Sequence, residues 1–338
     1  MSTLSPQDLG GERADGSTGA PGGRLMVYGA TGYTGERIAR RAVSLGVDVV
    51  IAGRNAPRLT DLATELHVEH VVVAVHDQVA LQSALRDIDC LLNVAGPFTD
   101  TAAPLLTACL ATGTHYLDTT AEHGVFAASA ARSREAEEAG IMVMSGVGWD
   151  VVPSDCLAVH TAARVTDPVG LRIGLKVSGD VSPGSSASAA GIADVGNLVR
   201  RSDVLTALPA PVTARFDFGA GPEEAVQVPM GDLITAWHCL HVPDIDVFAS
   251  IDVTPVERGA ELSVQARYQA VAEVTGVDGS VATSRIDTVN GYTYTQHSAV
   301  EVARRVLAGE AVPGFQTPAA VWGPELATSV AGTHLVDL

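Results

Sequence analysis

The 338-residue chain reads as an α/β protein: a Rossmann-type doubly wound parallel sheet joined to a second, α+β domain whose sheet is mostly antiparallel. Three observations predict this. Apolar runs alternate with helix-like segments from Arg24 to Met144, the rhythm of a parallel sheet with helices on both faces. The first run, Leu25–Tyr28, passes into Gly29-Ala-Thr-Gly-Tyr-Thr-Gly35 and then Glu36–Val43, in the order strand, glycine turn, helix. Beyond Ala162 the rhythm changes, and strand-like runs follow one another without regular helices between them.

Each element has its own signal. Residues 1–23 are rich in Gly, Ser, Pro and Asp without apolar periodicity, and are expected to be a disordered tail. Residues 24–160 are assigned to dinucleotide binding. Gly29, Gly32 and Gly35 let the backbone turn sharply and approach a pyrophosphate at a helix N-terminus, with Thr31, Tyr33 and Thr34 in the same loop. Val47–Ala52 is the second strand, followed by Gly53-Arg54-Asn55. About twenty residues past the glycines an acidic side chain would hold a ribose 2′-hydroxyl. Arg54 stands there instead, and a guanidinium suits a 2′-phosphate, so the expected cofactor is NADP(H), with Arg54 and Asn55 at its 2′ end.

Pro57–Leu66 reads as helix and His70–Val75 as strand. Asp77 caps the next helix, with Leu81 and Leu85 inward. Strand Asp89–Ala95 ends in Gly96-Pro97; helix Thr101–Ala111 is stopped by Gly113; strand His115–Asp118 follows. Glu122–Ala139 reads as one long helix stopped by Gly140, and Ile141–Met144 as the sixth strand. In the substrate domain, residues 161–297, strict alternation over Leu171–Val177 predicts a strand with one covered face. Val247–Val253, Glu261–Ala270 and Val281–Val289 are further strands, while Ser185–Arg200 and Ser298–Leu307 read as helices.

Composition sets outer bounds. Apolar residues make up 46% and charged residues 18%, as in ordinary globular enzymes. The net charge of -18 makes nucleic acid and anionic membranes poor partners. No apolar run reaches the roughly twenty residues of a membrane span. The polar opening residues show no signal-peptide pattern, and Cys90, Cys109, Cys156 and Cys239 lack CxxC spacing. A cytoplasmic location with buried thiols is expected.

Ala52-Gly-Arg-Asn55, Asn93-Val-Ala-Gly-Pro-Phe98, Gly113-Thr-His-Tyr-Leu-Asp118 and Gly148-Trp-Asp-Val-Val-Pro-Ser-Asp155, together with the glycine turn, make the chain similar to the saccharopine dehydrogenase-like reductases. Within them it most resembles the trans-acting enoyl reductase branch, through Ser182–Ala189 as well as Gly291-Tyr and Thr317-Pro-Ala. The resemblance implies that the substrate domain is inserted in the dinucleotide-binding domain and that residues 298–338 return to the latter. It implies an NADPH-dependent reductase acting on an activated C=C of a small or carrier-bound acyl or polyketide-like biosynthetic intermediate. Reduction of C=N, as in saccharopine or opine chemistry, is the alternative enzyme, and a non-catalytic NADP-binding redox sensor the alternative class. A homodimer is among the assembly states expected. Two departures stand out: Ala74 where relatives often carry aspartate, and Thr120-Ala121 where they tend to place glycine before Glu122.

In an open parallel sheet, ligands sit beyond the carboxyl ends of the strands. Ala95, Gly96 and Pro97 are expected to pass under the pyrophosphate and ribose, with the nicotinamide near Asp118–Glu122 and Gly148–Asp155. Asp150 either orients substrate or the nicotinamide ribose, or caps the helix near Pro153; Ser154 and Asp155 read as caps. The proton that accompanies the hydride has candidate donors in Tyr33, Tyr116, His123 or a relayed water, with Tyr116 equally a core aromatic and Glu122 equally a first-turn anion. Asp150, Tyr116 and Glu122 form the catalytic candidate set. The Tyr-x-x-x-Lys pair of short-chain dehydrogenases is absent, because the only lysine, Lys176, is preceded four residues earlier by Arg172. No His, Cys, Asp or Glu cluster has metal-ligand spacing. Arg172 and Lys176 share one strand face, either gripping an anionic substrate or facing solvent.

Overall fold

The computed structural model describes residues 22–257 and 261–338, so the expected tail lies outside the described residues except for Gly22 and Gly23. The first half runs β1 (Arg24–Tyr28), α1 (Tyr33–Ser44), β2 (Asp48–Gly53), α2 (Ala56–Leu66), β3 (Glu69–Val72), α3 (Gln78–Ala84), β4 (Cys90–Asn93), α4 (Phe98–Thr112), β5 (His115–Asp118), α5 (His123–Ala130), α6 (Ser133–Ala139), β6 (Met142–Met144) and α7 (Val152–Ala162). The second half runs β7 (Pro168–Val181), α8 (Pro183–Asp194), β8 (Asn197–Arg201), β9 (Val204–Leu208), β10 (Thr213–Asp217), β11 (Pro222–Gln227), α9 (Asp232–Leu240), β12 (Asp244–Pro255), β13 (Tyr268–Gly276), β14 (Val281–Thr288) and α10 (Gly291–Arg305). It closes with β15 (Gly314–Phe315), α11 (Pro318–Trp322), α12 (Glu325–Thr328) and β16 (His334–Asp337).

The first sheet has the order β15-β6-β5-β4-β1-β2-β3 and is parallel throughout. The strand order reverses between β1 and β4, which opens a crevice at their carboxyl ends. The second sheet has the order β10-β11-β12-β7-β13-β14-β16, antiparallel except for the β7–β12 pair, with the β8–β9 hairpin attached to β12. Helix α7 lies between the sheets, against β13, β14 and α9. One apolar core runs from Leu25 and Val27 through Trp149 and Leu157 to Ile173, Ala272 and Ile286, so both sheets share it.

Several expectations need correction. The long helix over 122–139 is two helices, broken at Ala131–Arg132. The break lets α6 pack against β15, where Ser133 Oγ accepts the Phe315 N–H at 3.0 Å. The helix expected over 185–200 stops at Asp194, since Gly196 takes φ +85° and the next residues form β8. Residues 261–267 are not strand, and β13 begins only at Tyr268. The helix expected to begin at Ser298 starts at Gly291, seven residues earlier. The C-terminal segment serves both sheets: β15 pairs β6, whereas β16 pairs β14 of the second sheet.

Candidate active site

The glycine turn fits a dinucleotide. Gly29 has φ +90°, and a Cβ there would stand 2.8 Å from the Ala95 side chain. A Cβ on Gly35 would overlap the Gly29 carbonyl, so these glycines let α1 start close against β1 and the β4 loop. Gly32 caps α1 without any side-chain hydrogen bond, and the first main-chain bond is from Glu36 N–H to Gly32 O. The N–H groups of Tyr33, Thr34 and Gly35 therefore form an open anion cradle. Arg54 is exposed at the end of β2, and Asn55 Oδ1 caps α2 by accepting the Arg58 N–H. Arg58 lines a cavity of about 180 Å³ together with Thr31.

A second helix start on the same edge is already filled. Glu122, 7% exposed, accepts the N–H groups of Phe98 (3.2 Å) and Thr99 (2.9 Å) at the head of α4. Ser188 Oγ of α8 donates to the same carboxylate at 3.1 Å. Glu122 thus serves as an inter-element cap, as an anion at a helix start. Ser188 also lies 3.8 Å from where a Cβ on Gly96 would be, so α8 covers the Gly96-Pro97 turn.

Tyr116 and Asp118 are buried among partners of the fold. Tyr116 is 0% exposed, its hydroxyl accepts from Asn93 Nδ2, and burial holds its phenol well above the usual range. It is a core residue. Asp118 is also 0% exposed and accepts from Thr120 N–H (3.0 Å), Gly146 N–H (3.1 Å) and Ser145 Oγ (2.9 Å). Burial raises it to about 6 despite those donors. It ties the β5 and β6 loops together.

Asp150 is different. The residue keeps a partly exposed edge, yet its carboxyl is desolvated and raised to about 6. No side chain caps α7, so the capping reading of Asp150 fails. Asp155 is structural by another route: fully buried, it accepts the Ala319 N–H at 2.8 Å and the Cys239 thiol, joining α7, α9 and α11. His123 is half-buried, and burial lowers its imidazole.

Trp149, which precedes Asp150 in the chain, packs against the second sheet. Trp149 stands edge-on to Tyr268 at 4.8 Å and donates from Nε1 to Thr288 Oγ1 at 2.8 Å. Tyr292, at the head of α10, meets Tyr33 edge-on at 5.0 Å and accepts the Ser182 N–H at 2.8 Å. Asn290 caps α10. Asp232, at the head of α9, is 0% exposed; burial raises it to about 7, with Asp155 and Asp150 adding to the rise and the Ser154 hydroxyl opposing it. Trp149 and Tyr292 fall in segments that carry the family resemblance, whereas Tyr268, Thr288 and Asp232 carry no sequence signal. Among the described residues no group of His, Cys, Asp and Glu could hold a metal ion, and no helix is long and apolar enough to cross a membrane.

Residues 25–144 match the family model of the saccharopine dehydrogenase NADP binding domain. The chain is 27% identical over 154 residues to the trans-acting enoyl reductase of Mycobacterium ulcerans, covering 42% of this chain and 36% of that protein. It is 26% identical over 145 residues to the lipid droplet localized protein of Caenorhabditis elegans, covering 39% and 34%. These matches span about a third of each relative's length. Among solved structures, saccharopine dehydrogenase (L-Glu forming) from Saccharomyces cerevisiae aligns with TM-score 0.65 at 14% identity, over 94% of this chain and 99% of that one. The myo-inositol dehydrogenase of Corynebacterium glutamicum aligns with TM-score 0.50 at 16% identity, over the same shares. At these identities the likeness is one of fold.

Proposed function

We propose, for a chain whose residues 25–144 form an NADP-binding domain of the saccharopine dehydrogenase kind, that it is an NADPH-dependent reductase of an activated C=C in an acyl or polyketide-like intermediate. The observation that carries this reading is the open anion cradle at the head of α1, with Arg54 exposed at the end of the adjacent β2. Bound there, NADPH supplies the hydride. The protein's own residues would hold the diphosphate at Tyr33–Gly35 and the 2′-phosphate at Arg54, and Asp150, its carboxyl raised to about 6 by burial, is the candidate for proton transfer.

Reduction of an amino-acid imine would call for cations that grip carboxylates. The basic side chains of the second sheet are already engaged: Arg172 with Glu273, Lys176 with Glu223, Arg267 with Asp287, and Arg285 near Asp217. Arg215 donates to Pro222 O. This favours the C=C reading over the C=N one. A cytoplasmic setting fits the free thiols of its cysteines, and the acidic net charge fits a small or carrier-bound acyl substrate, acting in a monomer or homodimer, better than nucleic acid.

The test is a fluorescence titration with NADPH and NADH, followed by NADPH oxidation against paired enoyl-thioester and imine panels. Preferential NADPH binding with enoyl turnover is the expected result. Imine turnover alone would move the protein to saccharopine-type chemistry, and binding without turnover on either panel would favour the redox sensor.

A further inference from the structure

Helix α8 joins β7 to β8 without entering either core. No residue from Pro183 to Ile192 is buried. Gly184, Ser185, Ser186, Ser188 and Gly191 are weaker helix formers than alanine. Most helices in proteins draw their stability from a packed apolar face. Over these residues α8 buries no such face, so it belongs to the elements that open at small cost.

Two polar anchors hold it, one on each bank of the crevice between β1 and β4. At its head, the Ser182 N–H donates to the Tyr292 hydroxyl at 2.8 Å, and Ser185 Oγ meets the same hydroxyl at 2.6 Å. The Tyr292 ring stands edge-on to Tyr33 at 5.0 Å, and Tyr33 is the first residue of α1, at the anion cradle. Further along, Ser188 Oγ donates to Glu122 at 3.1 Å, where that carboxylate fills the head of α4. The same Oγ would stand 3.8 Å from a Cβ on Gly96. α8 therefore crosses from the carboxyl end of β1 to that of β4, over the place where the strand order reverses.

We infer that α8 is a strap across the dinucleotide crevice, which leaves its seat on Glu122 whenever NADP(H) enters or departs and reseats in between. The inference rests on the dinucleotide site of the reading above and not on which bond is reduced. Ser188 and Glu122 are its latch. When Ser188 lifts, Glu122 keeps the Phe98 and Thr99 N–H groups, so one bond is exchanged for water and α4 stays capped. A hydrogen bond to a charged group favours the seated form by about tenfold or more. Because the latch restrains entry and exit alike, its loss changes rates and leaves affinity in place.

The test is stopped-flow fluorescence with NADPH on the full chain. Ser188→Ala is expected to raise the association and dissociation rates together, each by about tenfold, with little change in Kd. A change in Kd with an unaltered association rate would overturn the inference, because Ser188 would then act as a ligand contact or a structural prop. A second variant locks the strap. Gly96→Cys combined with Ser188→Cys places two thiols face to face across the seat. Oxidised while empty, it should take up NADPH far more slowly than after reduction with dithiothreitol. Oxidised while loaded, it should release NADPH far more slowly. Equal rates in the oxidised and reduced forms would overturn the inference, as would faster release from the oxidised loaded form. Neither variant needs a substrate, so failure here is distinct from failure of the reductase reading, which the enoyl panel decides.

Discussion

Arg54 and Asp232 are single residues whose charge the structure leaves without an internal counterpart. Arg54 projects from the end of β2 beside the open helix start. Arg54→Ala is expected to weaken NADPH binding by about 1.5–3 kcal/mol and NADH binding little, since only NADPH carries the phosphate that a guanidinium holds through charge-assisted bonds. Equal losses in paired fluorescence titrations would sink the 2′-phosphate assignment. Asp232 is buried with two acidic neighbours and has a carboxyl raised from 3.8 to about 7. A raised carboxyl contributes stability that is fully present below the unfolded value and is lost as pH rises through the folded one. Relative to wild type, Asp232→Asn should therefore gain stability between about pH 4 and pH 7, by up to ~1.4 kcal/mol per pH unit, and hold that gain above. Urea unfolding at several pH values reads this directly; a gain independent of pH would mean the carboxyl is not raised.

At the level of elements, capping and chain breaks explain both what could be read in advance and what could not. Asp77 caps α3 through the Ala80 N–H as its position before an apolar-periodic run suggests, and Gly113 and Gly140 end their helices in the left-handed region. Such signals are local, so the sequence displays them. The head of α4 has no local cap; Glu122, twenty-four residues on in the chain, fills it. Glu122→Ala should therefore cost about 1–3 kcal/mol in urea denaturation, by stranding the Phe98 and Thr99 N–H groups and freeing Ser188. Neutral stability with lost turnover would instead restore the acid role. The break at Ala131–Arg132 escaped periodicity because an alanine-rich stretch has no contrast between faces. It is the Ser133 contact to β15 that sets where α6 begins.

Over the whole molecule, the shared core and the divided C-terminal segment make the two sheets one cooperative body. Deleting residues 314–338 removes β15 from one sheet and β16 from the other, along with α11 and α12 against α7. The truncated chain is expected to melt at least about 10 °C lower, followed by circular dichroism, because mutational losses of a few kcal/mol already shift melting by several degrees. An unchanged midpoint would mean the segment is peripheral. The parallel sheet, the glycine turn and the Arg54 position were legible in the sequence, because they rest on residue types at short, fixed spacings. The company kept by Tyr116, Asp118 and Glu122 was not. A carboxylate reads alike on the page whether it meets solvent, a helix start or a buried loop. Only tertiary packing, through desolvation and partners far away in the chain, decided that Asp118 ties two loops together and that Glu122 fills a helix start.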